Sequence, residues 1–251
     1  TRTVQVPVYN DPNNEKGYIE WEMKPTYAGQ ALRVQDMMIM KIIDDAAWRV
    51  PIYFAVTVSQ QNRIGLDQYL DMQGLTFQLK SHKTKPIDTE KMYENLMTRI
   101  GPDSWSTNFL HNEFYEFENK GISANIEQDE KYVKWSKKYQ PGYMFRNLGN
   151  DKVFYNKQTM RLLQNYRSAY MQLAVTYYME YQRKDRKDKG IHEPRLTELK
   201  NKIIQVLDRM EKNIPAHIIP IQSEDLHYQV ARIYGDLNEK EAMRSILEEL
   251  V

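Results

Sequence analysis

Pro51-Ile52-Tyr53-Phe54-Ala55-Val56-Thr57-Val58 is the longest apolar run in the chain. β-Branched and aromatic side chains dominate it, and its length is that of a strand, so it predicts a buried strand. Pro51 suits the first position, where a missing N–H does least harm to a ladder. Upstream, Met37, Met38, Ile42 and Ile43 recur at helical spacing and predict a helix over residues 34–47. Downstream, residues 66–72 predict a short helix, and Gly74 introduces an alternating strand over 75–79. Asp88 is a fitting N-cap for a third helix over 88–98, with an acidic first turn. Helix–strand–helix–strand order predicts an α/β-like small sheet with flanking helices.

Further toward the N-terminus, residues 3–9 and 18–23 alternate apolar and polar side chains. Asp11-Pro12-Asn13-Asn14 lies between them with strong turn chemistry, so a hairpin or a pair of edge strands is expected. Pro7 argues against a central strand. Residues 99–142 scatter Trp105, Phe109, Phe114, Tyr115, Phe117, Tyr132, Trp135 and Tyr139 among polar residues without a lasting period. They read as an irregular aromatic-rich insertion with a short helix near 127–138.

From residue 157 the pattern turns helical. Met160, Leu163, Tyr166, Tyr170, Leu173, Ala174 and Tyr177 form one face of a long helix. The charge run 183–190 reads as a solvated loop or frayed end. Pro194 at a first helical position opens the next helix, with Leu196, Leu199, Ile203, Val206, Leu207 and Met210 inward, and Pro215 stops it. Ser223 is an expected N-cap for a helix to Tyr234, Gly235-Asp236 breaks the chain, and a last helix covers 238–250. Val230-Ala231-Arg232-Ile233-Tyr234-Gly235-Asp236, followed by Lys240-Glu241-Ala242, looks like a tetratricopeptide hairpin: small alanines let helices approach, and the glycine turns the chain. Leu173-Ala174 precedes Val230-Ala231 by about 57 residues, against a regular repeat near 34, so the array is degenerate. The expected fold class is therefore α+β, followed by an all-α helical-hairpin region, with domains at 1–150 and 151–251.

Composition narrows the function. With 35 basic and 34 acidic residues among 251, the net charge of +1 gives no footprint for nucleic acid. Absence of cysteine excludes disulfides, thiolate catalysis and zinc–thiolate sites. No stretch approaches the roughly 20 apolar residues of a membrane helix. The start at Thr1-Arg2-Thr3, without Met or an apolar leader, reads as a fragment of a longer protein or a processed one. No nucleophile elbow, phosphate loop, dinucleotide fingerprint or zincin helix occurs. His82, His111, His192, His217 and His227 are far apart, so neither a metal site nor a cofactor is expected.

The remaining candidates concern ligand or partner binding. Asp44-Asp45 is a carboxylate pair for acid–base work or metal, or simply a set of turn-capping groups. Arg146, among Tyr143, Phe145 and Asn147, and Arg167, in Asn165-Tyr166-Arg167, suit an anionic ligand or an internal carboxylate.

Trp48-Arg49-Val50-Pro51-Ile52-Tyr53-Phe54-Ala55, with Gly65-Leu66, Tyr69-Leu70, Gly74-Leu75, Phe145-Arg146-Asn147, Asn165-Tyr166-Arg167 and Leu173-Ala174, resembles a family of bacterial polytopic membrane proteins related to the protein O-mannosyltransferases, the type C glycosyltransferases. Val50 departs from it, standing where a second basic residue is expected. The resemblance implies that membrane helices and the catalytic acid lie upstream, and that this chain is the C-terminal soluble region on the periplasmic face of the inner membrane. Trp48, Asn165 and Tyr166 join the binding candidates on that ground, and no catalytic residue is expected here. The implied partners are the protein's own transmembrane region and an acceptor polypeptide or partner protein. Two other readings stand beside it: a free-standing interaction scaffold, and a soluble enzyme with Asp44, Asp45, Arg146 and Arg167 around one site.

Overall fold

The computed structural model describes residues 2–9, 11–23, 25–27, 31–97, 143, 145, 148–187 and 193–248. It divides into two compact units, residues 1–143 and 144–251. The expected insertion at 99–142, its helix near 127–138, and Arg146 and Asn147 lie outside the described residues.

The first unit opens with an antiparallel hairpin, β1 (Arg2–Pro7) and β2 (Tyr18–Met23), in register Val4↔Trp21 and Val6↔Ile19. The alternation seen in the sequence turns Val6, Val8, Ile19, Trp21 and Met23 into the core. The outer edge of β2 is partly satisfied by one side chain. Tyr69 Oη accepts from the Glu20 N–H at 3.1 Å and donates to the Glu20 carbonyl at 2.8 Å, standing in for a third strand. Trp21 Nε1 donates to the Ile64 carbonyl at 2.9 Å. Gly65 follows at φ 88°, and a Cβ there would lie 2.7 Å from the Glu22 carbonyl oxygen, so this close approach requires glycine.

α1 (Val34–Ala46) carries Asp36 at its third position, where the carboxylate accepts from the Arg33 N–H at 2.8 Å and from the Thr26 hydroxyl. Burial works against this charge, but Thr26, the Arg33 N–H and the Arg33 guanidinium outweigh it and hold the carboxyl below its usual range. Asp36, Ile39, Met40 and Ile43 form the inward face of this helix, so three of the four apolar positions read as its face point outward. Ile43 is buried, whereas Met37 is 54 % and Met38 59 % exposed, and Val34 and Ile42 are exposed with them.

The apolar run becomes a shorter element than expected. β3 is Tyr53–Ala55, an edge strand of a three-stranded antiparallel sheet ordered β3-β5-β4, with β4 at Leu70–Met72 and β5 at Thr76–Leu79. Only Phe54 among its three residues faces the core, because an edge strand of this small sheet has one covered face. Val58 N–H already turns back to the Ala55 carbonyl at 2.9 Å. The expected helix at 66–72 is a 3₁₀ turn, Leu66–Tyr69, running straight into β4. α2 (Thr89–Met97) has the expected cap: Asp88 Oδ1 accepts from the Lys91 N–H at 3.0 Å.

The second unit is helical. α3 (Lys157–Lys187) ends inside the charge run, which continues as helix through Lys187 where a solvated loop or a frayed end was expected. α4 (Glu193–Asn213) runs back antiparallel: Asn213 Nδ2 donates to Tyr170 Oη at 2.8 Å near one end, and Arg195 meets Glu180 at 3.5 Å near the other. α5 (Glu224–Asp236) begins at the expected Ser223 cap, whose hydroxyl accepts from the Leu226 N–H. It runs parallel to α3, since Gln164 reaches the Pro220 carbonyl at 3.2 Å and Tyr178 donates to Asp236. Tyr234 Oη donates to Asp208 of α4 at 3.0 Å. The turn falls two residues later than expected, with Asn238 at φ 64° where Gly235 was anticipated as the break. α6 (Lys240–Glu248) packs back on α5, with Met243 Sδ against Gly235. Leu163, Leu173, Leu199, Ile203, Val206, Leu207, Val230 and Ile233 fill the core between these helices. The architecture is thus α+β followed by two antiparallel helical hairpins.

Candidate functional site

The first unit holds a cleft of about 490 Å³. Three separate segments build its walls: Val8, Tyr9, Asp11 and Pro12 from the hairpin turn; residues 48–53 between α1 and β3; and Gln78, Leu79, Lys80 and Ser81 from the end of β5. Side chains of the turn latch the first wall to the third. Asp11 accepts from the Ser81 hydroxyl and from the Asn13 N–H at 2.8 Å, with His82 Nδ1 at 3.4 Å, and Asn14 Nδ2 donates to the Ser81 carbonyl. The Ser81 and Asn13 hydrogen bonds, aided by His82, hold the Asp11 carboxyl below its usual range against the opposing effect of burial.

The middle wall stores backbone strain. α1 ends with Ala47 at φ 44°, its N–H on the Ile43 carbonyl, and Trp48 follows at φ 62°. Two successive non-glycine residues in the left-handed region cost about 1–3 kcal/mol each. One long-range and one local hydrogen bond hold them: Trp48 Nε1 donates to the Pro7 carbonyl at 2.8 Å, and Arg49 Nη2 donates to the Asp45 carbonyl at 2.9 Å. The strain aims the indole and the Arg49–Pro51 segment at the cleft. Such strain persists where the surrounding structure over-determines it.

The lining mixes aromatic faces with cations. Tyr9 is 69 % and Tyr53 50 % exposed, Trp48 is half-buried, and Val50, Ile52, Pro12 and Pro51 add apolar surface. Lys80 Nζ sits 2.6 Å from Gln78 Oε1 and 3.4 Å from Asp71. Burial pushes the Asp71 carboxyl up, and Lys80 partly opposes that. Asp11 is the sole carboxylate among the described residues of the lining, which therefore show no carboxylate pair for acid–base work. No group of His, Cys, Asp or Glu among the described residues is arranged to hold a metal ion.

Among the described binding candidates, Trp48 alone lines this cleft. Asp44 and Asp45 are exposed at the end of α1, with Lys41 Nζ 3.9 and 2.5 Å away. In the second unit, Asn165 Nδ2 turns to the Leu162 carbonyl at 3.0 Å, and the Tyr166 ring packs edge-on against Phe145 at 5.5 Å. Arg167 is fully buried. Its guanidinium reaches the Gln164 side chain at 3.0 Å, the Ile214 carbonyl at 2.9 Å and the Ile219 carbonyl, pinning the turn that follows α4. Arg146 lies outside the described residues. Sequence reasoning missed Tyr9, Asp11, Arg49, Tyr53 and Lys80. The one available signal was the density of the Trp48–Tyr53 block, read as a strand approach and not as a wall.

Residues 5–101 match the family model of TMEM260-associated domain 2. The whole cleft lies within that stretch. Neither the curated proteins nor the solved structures contain a match to the chain.

Proposed function

We propose that the chain is a non-catalytic, extracytoplasmic binding region of a TMEM260-like membrane protein, in which the cleft of the first unit contacts a polypeptide: an acceptor or a partner protein. The observation that carries this reading is the coincidence of the cleft with residues 5–101, the stretch matched to TMEM260-associated domain 2. The lining supports binding over chemistry, since its carboxylate is latched to Ser81 and its lysine sits against Asp71 and Gln78. The helical unit supports an interaction role as well. Its α3 and α5 run parallel with α4 between them in sequence, the order of a tetratricopeptide array, and such arrays present extended concave surfaces. The sequence resemblance to the O-mannosyltransferase-related proteins extends the proposal to a glycosyltransferase-like parent whose reacting groups are encoded elsewhere.

Fractionation of the native protein tests it. A longer polypeptide that stays with membranes after alkaline carbonate extraction is the expected result. A native protein of just these residues, recovered in the soluble fraction, would overturn the reading in favour of a free-standing scaffold.

A further inference from the structure

We propose that the turn between β1 and β2 is a strap closed by a proton-sensitive latch: the Asp11 carboxylate grips Ser81 and His82, and the grip tightens when His82 takes up a proton.

The hairpin ladder ends where the Val8 N–H meets the Gly17 carbonyl at 2.8 Å. Past that point the turn's own backbone bonds are short-range, from the Asn14 N–H to the Asp11 carbonyl and from the Gly17 N–H to the Asn14 carbonyl. Among the described residues, its hydrogen bonds to anything outside the hairpin end on Ser81 and His82. The Ser81 hydroxyl donates to Asp11, Asn14 Nδ2 donates to the Ser81 carbonyl, and His82 Nδ1 lies 3.4 Å from Asp11 Oδ2. The receiving segment is fixed on both sides, by the Lys80 N–H on the Tyr69 carbonyl at 2.8 Å and the Thr84 N–H on the Gln68 carbonyl at 3.1 Å. Pro12, Asn13, Glu15, Lys16 and Gly17 are exposed, so little buried surface holds the turn once those bonds part.

Histidine is the side chain whose charge changes near neutral pH. A neutral imidazole carries a proton on Nδ1 in one tautomer only. The imidazolium always donates from Nδ1, and it adds a positive charge beside the carboxylate. Among the described residues Asp11 alone forms an ion pair with His82. Glu15 and Lys16 of the turn and Lys83 beside the histidine are exposed, and the Lys80 ammonium is turned to Gln78 and Asp71. The latched turn favours the imidazolium, so latching strengthens below the ordinary histidine range and weakens as pH rises through it. At the acid end the latch fails as pH falls through the Asp11 carboxyl, which Ser81, Asn13 and His82 hold below its ordinary range. The His82 side chain is 34 % and that of Asp11 18 % exposed, so solvent screens the pair and the effect is severalfold rather than large. The latch does not depend on what the cleft binds.

Amide–water exchange, measured by NMR on the isotope-labelled 251-residue chain, tests the latch. After correction for intrinsic rates, protection of the Asn13, Asn14 and Gly17 N–H groups should rise about threefold from about pH 7.5 to about pH 5.5, while the amides of α2 hold constant. His82→Gln should abolish the rise and leave protection at the level of the higher pH. Ser81→Ala should lower protection at both pH values and keep the rise. Asp11→Asn should remove the rise and lower protection together. No rise in the parent chain, a rise that survives His82→Gln or Asp11→Asn, or an equal rise in α2 would each overturn the proposal.

Discussion

α4 turns Leu199, Ile203, Val206, Leu207 and Met210 inward, whereas α1 turns Val34, Met37, Met38 and Ile42 to solvent. Both helices space apolar residues three and four apart, the same signature. Periodicity reports that a helix has an apolar face; it is silent on whether a neighbour covers it. In the second unit α3 and α5 lie against α4 and make the face a core. In the first unit α1 contributes Ile43, the partly buried Ile39 and Met40 and an anchored Asp36, while its other apolar side chains stay in solvent.

That contrast breaks most visibly by truncation. Ile203→Ala should cost about 2–5 kcal/mol by removing buried methylenes and leaving a cavity, while Met38→Ala should fall within about 0.5 kcal/mol of the parent. Paired chemical denaturation curves check both; similar losses would show that the Met38 face of α1 is covered after all. Arg167→Leu comes next. Removing charged donors from the Ile214 and Ile219 carbonyls should cost roughly 3 kcal/mol, measured the same way, and Arg167→Lys should not restore it because an ammonium cannot span both acceptors.

Ala47→Gly should act in the opposite direction in the first unit, stabilising by about 1 kcal/mol in thermal melts, because glycine adopts φ 44° without a Cβ clash. Asp36→Asn sharpens the picture through pH. The folded carboxyl lies below its ordinary value, so its contribution is present above the ordinary carboxylate pKa and is lost as pH falls through the lower folded value. The variant should be less stable at neutral pH and show a shallower acid limb; an unchanged limb would remove Asp36 as the anchor. Smallest of all, Asp45→Ala should leave denaturation curves nearly unchanged and become neutral at high salt, as expected of an exposed pair with Lys41.

These contrasts explain what the sequence made legible. Local chemistry is written locally: the Asp11–Asn14 turn, the Asp88 and Ser223 caps and the stop before Pro215 needed only neighbouring residues. Pro51–Val58 misled because a β-rich run does not state how many of its residues a small sheet will pair, and three are paired. The cleft was illegible for a related reason. Its walls come from residues up to 73 positions apart, between Val8 and Ser81, joined by side-chain latches such as Asp11 to Ser81 that no period encodes. Arg167 was visible as an unusual cation, but its use as a clamp on two carbonyls depends on a turn about 47 residues further along.

Hydrogen exchange of the chain with and without a saturating polypeptide partner tests the binding account most directly. Slowed exchange confined to residues 8–12, 48–53 and 78–81 is the predicted footprint. Protection that falls instead on α3 through α6, leaving those three segments unchanged, would contradict it.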